Sequence, residues 1–175
     1  MSIRAEYEKY GVKEYYTNHR KTYRNYHEKE VNELLLRILN IINKQDNILD
    51  LCCGNGLVTK ILMKNGYDNI IGCDPYMYQE YKIETNKKCL KYNFIDIINY
   101  KLNIKNNIVI CSFGLHLCEK YNLKMLINAL KYNGMEILII ITPHKQPKLD
   151  GIIELKYEIY EFTHKNKKIY MRIYE

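Results

Sequence analysis

Asn47-Ile48-Leu49-Asp50-Leu51-Cys52-Cys53-Gly54-Asn55-Gly56 runs from an apolar, strand-like segment straight into a Gly-x-Gly turn. Residues 57–65 have helical character and stop at Gly66, a residue suited to a helix C-terminus. Strand, glycine turn and helix in that order build a crevice, because glycine permits a sharp turn and a close approach of backbone to ligand. Outward from this stretch the pattern keeps alternating. Residues 69–73 read as a second strand, 76–83 as a short helix, 90–95 as a third strand and 107–112 as a fourth. Residues 119–132 form a helix with Leu123, Leu126, Ile127 and Leu130 on one face, and 135–142 a fifth buried strand. Upstream, Asn25 with Glu28 three residues later starts a helix that carries Val31, Leu34, Leu35, Ile38, Ile41 and Ile42 at helical spacing. Strands alternating with helices predict an α/β fold, Rossmann-like and doubly wound, with a mostly parallel sheet.

The last 25 residues change period. Leu155, Tyr157 and Ile159 alternate with polar neighbours, as do Ile169, Met171 and Ile173, and residues 163–167 supply a turn between them. This is a hairpin, so the sheet ends in antiparallel strands. No repeat or low-complexity linker divides residues 25–175, which read as one domain. The polar, Tyr-rich residues 1–24 read as a cap segment over its pocket.

With 175 residues, the chain is long enough to bury a core without disulfides or metals. It has no apolar window of membrane-spanning length, and its first residues lack an apolar stretch of signal-peptide length, so no membrane association is expected. Lys, Asn, Ile and Tyr make up 84 of the 175 residues, all with A/T-rich codons. The net charge of +7 is spread along the chain without a basic block, so the charge alone does not demonstrate a nucleic-acid partner. Cys52, Cys53, Cys73, Cys89, Cys111 and Cys118 show no metal-ligand spacing and lie in or beside apolar runs. They read as reduced, buried thiols of a cytoplasmic or nuclear protein, and no metal is called for.

Two further carboxylates follow the glycine turn. Asp74 ends the second strand, 20 residues after Gly54, where a carboxylate can accept both hydroxyls of a ribose. Asp96 closes Asn93-Phe94-Ile95-Asp96. A dinucleotide site would want Gly-x-Gly-x-x-Gly, but Thr59 holds the third position. Asp50 just before the turn repels a pyrophosphate and favours a cationic ligand, an ammonium or a sulfonium.

At these residues the chain resembles the class I S-adenosylmethionine-dependent methyltransferases. Residues 50–56 look like their first motif, Asp74 like their ribose-binding acid, Asp96 like their adenine-contacting acid, and the strand pattern like their seven-stranded sheet. The resemblance covers residues 27–175. It implies S-adenosyl-L-methionine as cofactor, held by Asp50, Cys52, Gly54, Asn55, Gly56, Asp74, Pro75, Asp96, Ile97, Ser112 and Phe113. Segments 23–27, 111–117 and 142–147 are similar to those of a group of small eukaryotic methyltransferases without an assigned substrate.

His116 and His144 each follow a strand that ends on the ligand side of such a sheet. Imidazole suits a general base at neutral pH, so these two are the catalytic candidates, with their rings expected in one pocket. Tyr23, His27 and Lys145 are candidates for binding the acceptor. RNA is the slightly favoured acceptor, with a small molecule or a protein as alternatives. The segment 143–151 is short for the helix such enzymes usually place there, which leaves room for an activating partner or an inactive, scaffolding role.

Overall fold

All four residues of β1 (Ile48–Leu51) are buried, as a central strand covered on both faces requires. In the computed structural model, which describes residues 9–20 and 22–175, β1 pairs in parallel with β2 (Ile70–Cys73) on one side and β4 (Ile108–Ser112) on the other. β3 (Cys89–Leu90) extends the β2 side, and β5 (Ile137–Thr142) extends the β4 side. The C-terminal strands β6 (Leu155–Phe162) and β7 (Lys168–Tyr174) form the antiparallel hairpin, with β7 inserted beside β5 and β6 at the edge. The order β3-β2-β1-β4-β5-β7-β6 is a seven-stranded, mostly parallel sheet. The chain reverses direction of travel across the sheet between β1 and β4, so their carboxyl ends splay their loops apart and open a crevice.

Side chains alternate across the sheet, and each face builds its own core. Ile48, Ile70, Ile108, Ile110 and Ile139 meet α2 (Glu28–Leu36) and α3 (Leu57–Lys64) on one face. Leu49, Val109, Leu138 and Ile140 meet α5 (Phe94–Ile98) and α6 (Leu123–Tyr132) on the other. Each fully buried Leu or Ile contributes about 1.5–3 kcal/mol of transfer free energy. Among the described residues, further helices include α1 (Val12–His19), in the N-terminal segment, and α4 (Tyr78–Thr85), which follows β2. The Tyr81 ring of α4 lies flat against Gly72 of β2, where any Cβ would fall 2.6 Å from it. No described helix is long and apolar enough to cross a membrane.

Three expectations need correcting. Residues 90–95 are not a strand: β3 is two residues long, and a helix begins at Phe94. The cause is a reciprocal cap in which the Asn93 side chain accepts from the Asp96 N–H and the Asp96 side chain accepts from the Asn93 N–H. Asn25 does not cap α2, because its Oδ1 is taken by the His27 N–H at 2.9 Å and His27 occupies the cap position. The apolar stripe of α2 also outlasts the helix, since Ile38 and Ile42 are buried from turns beyond Leu36. Residues 143–154 contain no helix, and Leu149 and Ile153 from this loop cover part of the sheet instead. Of the N-terminal cap segment, residues 1–8 and 21 lie outside the described residues.

Candidate functional site

The turn after β1 places three residues in left-handed backbone within five positions: Cys52 (φ 59°), Gly54 (φ 54°) and Gly56 (φ 81°). For a non-glycine residue such as Cys52 this conformation costs about 1–3 kcal/mol, so its surroundings must hold it. They do: the Cys52 N–H donates to the Cys73 carbonyl at 2.8 Å. Its side chain has room because Gly114 faces it, and a Cβ on Gly114 would stand 2.3 Å from the Cys52 Cβ.

Asp74, at the end of β2, ties the turn to the next loop. Its Oδ2 accepts from the Gly54 N–H at 3.1 Å, and its Oδ1 accepts from the N–H groups of Tyr76 and Met77, both at 2.8 Å. Burial pushes its carboxyl above the usual range, and the three N–H donors partly offset that rise. Asp74 lines a cavity of about 220 Å³ at the carboxyl ends of β1, β2 and β4. Of the residues expected at a cofactor, Cys52, Gly54, Pro75, Ile97, Ser112 and Phe113 line it as well. The Ser112 Oγ is buried and has no hydrogen-bond partner among the described residues.

Four other expected residues stand outside this lining. Asp50 is 1% exposed and turns away to the start of α3. Its Oδ2 accepts from the Thr59 N–H at 3.2 Å and the Thr59 hydroxyl at 2.7 Å, and that hydroxyl meets the Tyr81 hydroxyl at 2.8 Å. Burial, opposed by these bonds, raises the Asp50 carboxyl to about 7. Asp50 therefore acts beneath the turn and not as a charge at its mouth, and Thr59 fills the place of a third glycine because it completes this network. Gly56 starts α3 and is packed against α4, where a Cβ would meet the Thr85 Cγ2 at 2.3 Å. The Asn55 amide donates to the Tyr23 carbonyl at 3.4 Å. Asp96 is occupied by its capping role and by an ion pair with Lys101 at 2.6 Å.

The sequence reading missed Tyr92, Asn93 and Phe94, which bring the start of α5 to the cavity, and Tyr76; it laid residues 1–24 over the pocket without assigning Val12 or Tyr16 to the cavity wall. The Asn-x-x-Asp spacing of residues 93–96 is a helix-start signal and was the available clue. Nothing local to Tyr16 announces its place. Its ring stacks on Tyr76 with centroids 6.0 Å apart, a contact 60 positions along the chain.

Beside this cavity lies an open cleft of about 1170 Å³, and the two share Tyr16, Tyr23, Phe113 and Leu117 as walls. His116, from the short 3₁₀ turn after β4, and His144, two residues beyond β5, both line the cleft with ring centroids 5.2 Å apart. The His27 ring stacks on Phe113 at 5.4 Å, and Tyr23 and Lys145 also line the cleft. Its basic residues Arg24, Lys120, Lys145 and Lys148 outnumber the acids Glu119 and Asp150. The arrangement can hold a ligand with hydroxyl groups and an aromatic ring in the cavity and present it to a larger, anionic partner in the electropositive cleft.

Residues 23–139 match a family described as a methyltransferase domain. An uncharacterized protein of Schizosaccharomyces pombe is 28% identical over 192 residues, spanning 85% of this chain and 77% of that protein. The fold is that of magnesium protoporphyrin IX methyltransferase from Synechocystis with bound SAM (TM-score 0.68, 15% identity, 98% of this chain and 94% of that one). It is equally that of the N-methyltransferase NodS from Bradyrhizobium japonicum in complex with S-adenosyl-L-homocysteine (TM-score 0.72, 10% identity, 93% and 96%). The chain belongs to the methyltransferase domain family and is a class I S-adenosylmethionine-dependent methyltransferase.

Proposed function

We propose that this methyltransferase acts on RNA, and that His116 or His144 removes the proton of the accepting hydroxyl or amine. The reading rests chiefly on the convergence of the two imidazoles, 5.2 Å apart, in a basic cleft that shares walls with the smaller cavity. That cavity fits the cofactor chemically. Asp74 would accept the ribose hydroxyls, the apolar and aromatic side chains of Tyr92, Phe94 and Ile97 would take the adenine, and the Ser112 hydroxyl, unpartnered among the described residues, would bond the polar tail. When bound, S-adenosylmethionine supplies a methyl group on a positively charged sulfur, ready for in-line displacement.

The chain's own residues do the rest. Tyr16, Tyr23 and Phe113 stand between the two chambers and exclude water from the line of transfer, which raises the effective concentration of the aligned partners. As the acceptor oxygen or nitrogen takes the methyl group and the methyl–sulfur bond breaks to leave neutral S-adenosylhomocysteine, the acceptor's proton would pass to one imidazole, and the second ring stands near enough to orient the first. Lys145, Lys148 and Arg24 attract the phosphates on either side of the acceptor. The protein should be incubated with a tritiated methyl donor and total RNA, then the label tested for ribonuclease sensitivity. His116→Ala and His144→Ala should leave cofactor affinity unchanged, and loss of the base should slow transfer by about 10²–10⁴-fold. Label confined to protein or small molecules refutes the RNA acceptor, and full activity in both variants refutes the base.

A further inference from the structure

The loop between β5 and β6 leaves one face of the terminal hairpin only partly covered. Three cross-strand pairs share that face: Glu158 with Arg172, Tyr160 with Tyr170, and Phe162 with Lys168. In the pair nearest the core Arg172 is buried, while Glu158 reaches the surface. Arg172 is 1% exposed, its Nε donates to the Glu158 Oε2 at 2.5 Å, and its Nη2 reaches the carbonyl of His144 at 3.5 Å. The outer pairs are open, with Tyr160 at 42% and Phe162 at 51% exposure. Tyr170 lies beside Thr142, the last residue of β5, so the strip begins two residues from His144 and runs outward to the sheet edge.

With Glu158 paired to Arg172, the charge that remains on the strip is positive. The Lys168 Nζ sits 3.8 Å from the centroid of the Tyr160 ring and 5.6 Å from that of Phe162. Lys165 and Lys167 are exposed on the adjoining turn. Of the nearby acids, Glu158 is paired with Arg172, and Glu161 points to the opposite face and pairs with Arg37. We propose that this strip docks a single strand of RNA and continues the cleft, holding nucleotides that flank the methylated one. The chemistry is general. Every base offers a π-face to an aromatic ring, and each following phosphate needs a cation close by, which Lys168 provides beside Tyr160 and Phe162.

The inference rests on the RNA acceptor, and the test separates the two. Fluorescence anisotropy with a labelled single-stranded RNA of about 12 nucleotides is measured against salt for the full chain and two double variants. Tyr160→Ala with Phe162→Ala should weaken binding by about 30-fold or more with an unchanged salt slope, since stacking on two rings and not charge is lost. Lys167→Ala with Lys168→Ala should flatten the slope by about 1.4, at about 0.7 per phosphate contact. Thermal melts and cofactor calorimetry on both variants check that the fold and the smaller cavity are intact. If the unaltered chain binds RNA and both variants bind it equally well, the strip is overturned while the RNA acceptor stands. If the unaltered chain binds no RNA, both fall, and a protein partner is left as the occupant of the strip.

Discussion

Asp50 gives the sharpest test of how the glycine turn is held. Its carboxyl is fully buried and raised from the ordinary 3.8 to about 7, chiefly by burial, with the two Thr59 bonds opposing the rise. Between those values the folded chain keeps a proton that the unfolded chain has released. Stability is then complete below about pH 4 and is lost as pH climbs toward 7, the direction linkage requires when the native state binds more protons. At about 1.36 kcal/mol per pH unit the full effect is about 4 kcal/mol, a large part of the 5–15 kcal/mol that stabilises an ordinary domain. Asp50→Asn removes the titration and keeps an oxygen for the Thr59 N–H and hydroxyl. Urea unfolding at pH 5 and pH 8 should show the native chain losing about 3 kcal/mol more than the variant, because about two of the three pH units lie in that window. Other groups titrate equally in both proteins, so the difference between the two losses isolates Asp50. Equal losses would show that the carboxylate is already charged at pH 5 and that burial does not govern it.

Asp74→Ala should weaken S-adenosylmethionine binding by about 1.5–3 kcal/mol, the usual worth of hydrogen bonds to a charged group, and unchanged affinity by calorimetry would remove Asp74 from the cofactor site. Gly114→Ala should destabilise the fold by about 1–3 kcal/mol, because the new methyl group meets the Cys52 Cβ at 2.3 Å. Adding Cys52→Gly should restore most of that loss, and strictly additive effects in the cycle would refute the paired accommodation.

The succession of strands and helices was legible in the chain because burial on both faces of a parallel sheet demands continuous apolar runs, such as Ile108 to Cys111 and Ile137 to Ile141. The terminal hairpin was legible for the same kind of reason, since alternation at period two needs one covered face. Asp74 could be found because a carboxylate at a strand end, 20 residues past a glycine turn, has a position fixed by the fold. The first misreading was local. Residues 90–95 look like a strand by composition, but the Asn93–Asp96 cap, worth about as much as several propensity differences, starts a helix there.

The other misreadings were not local. Asp50 and Asp74 are both carboxylates at the ends of neighbouring strands, yet only one faces the cavity. By register Asp50 lies beside Gly72, inside the sheet and under the start of α3, whereas Asp74 stands two residues further on, past the end of β2 at the cavity. The same holds for Cys52 opposite Gly114, for Tyr16 on Tyr76 and for His116 beside His144, all separated widely in the chain. The sequence by itself determined the order of most elements, the crevice and Asp74 at its edge, because these follow from periodicity and backbone chemistry. Only the tertiary structure decided which polar groups face the ligand and which ones brace the turn from beneath, because that choice depends on side-chain direction and on partners brought together by sheet order.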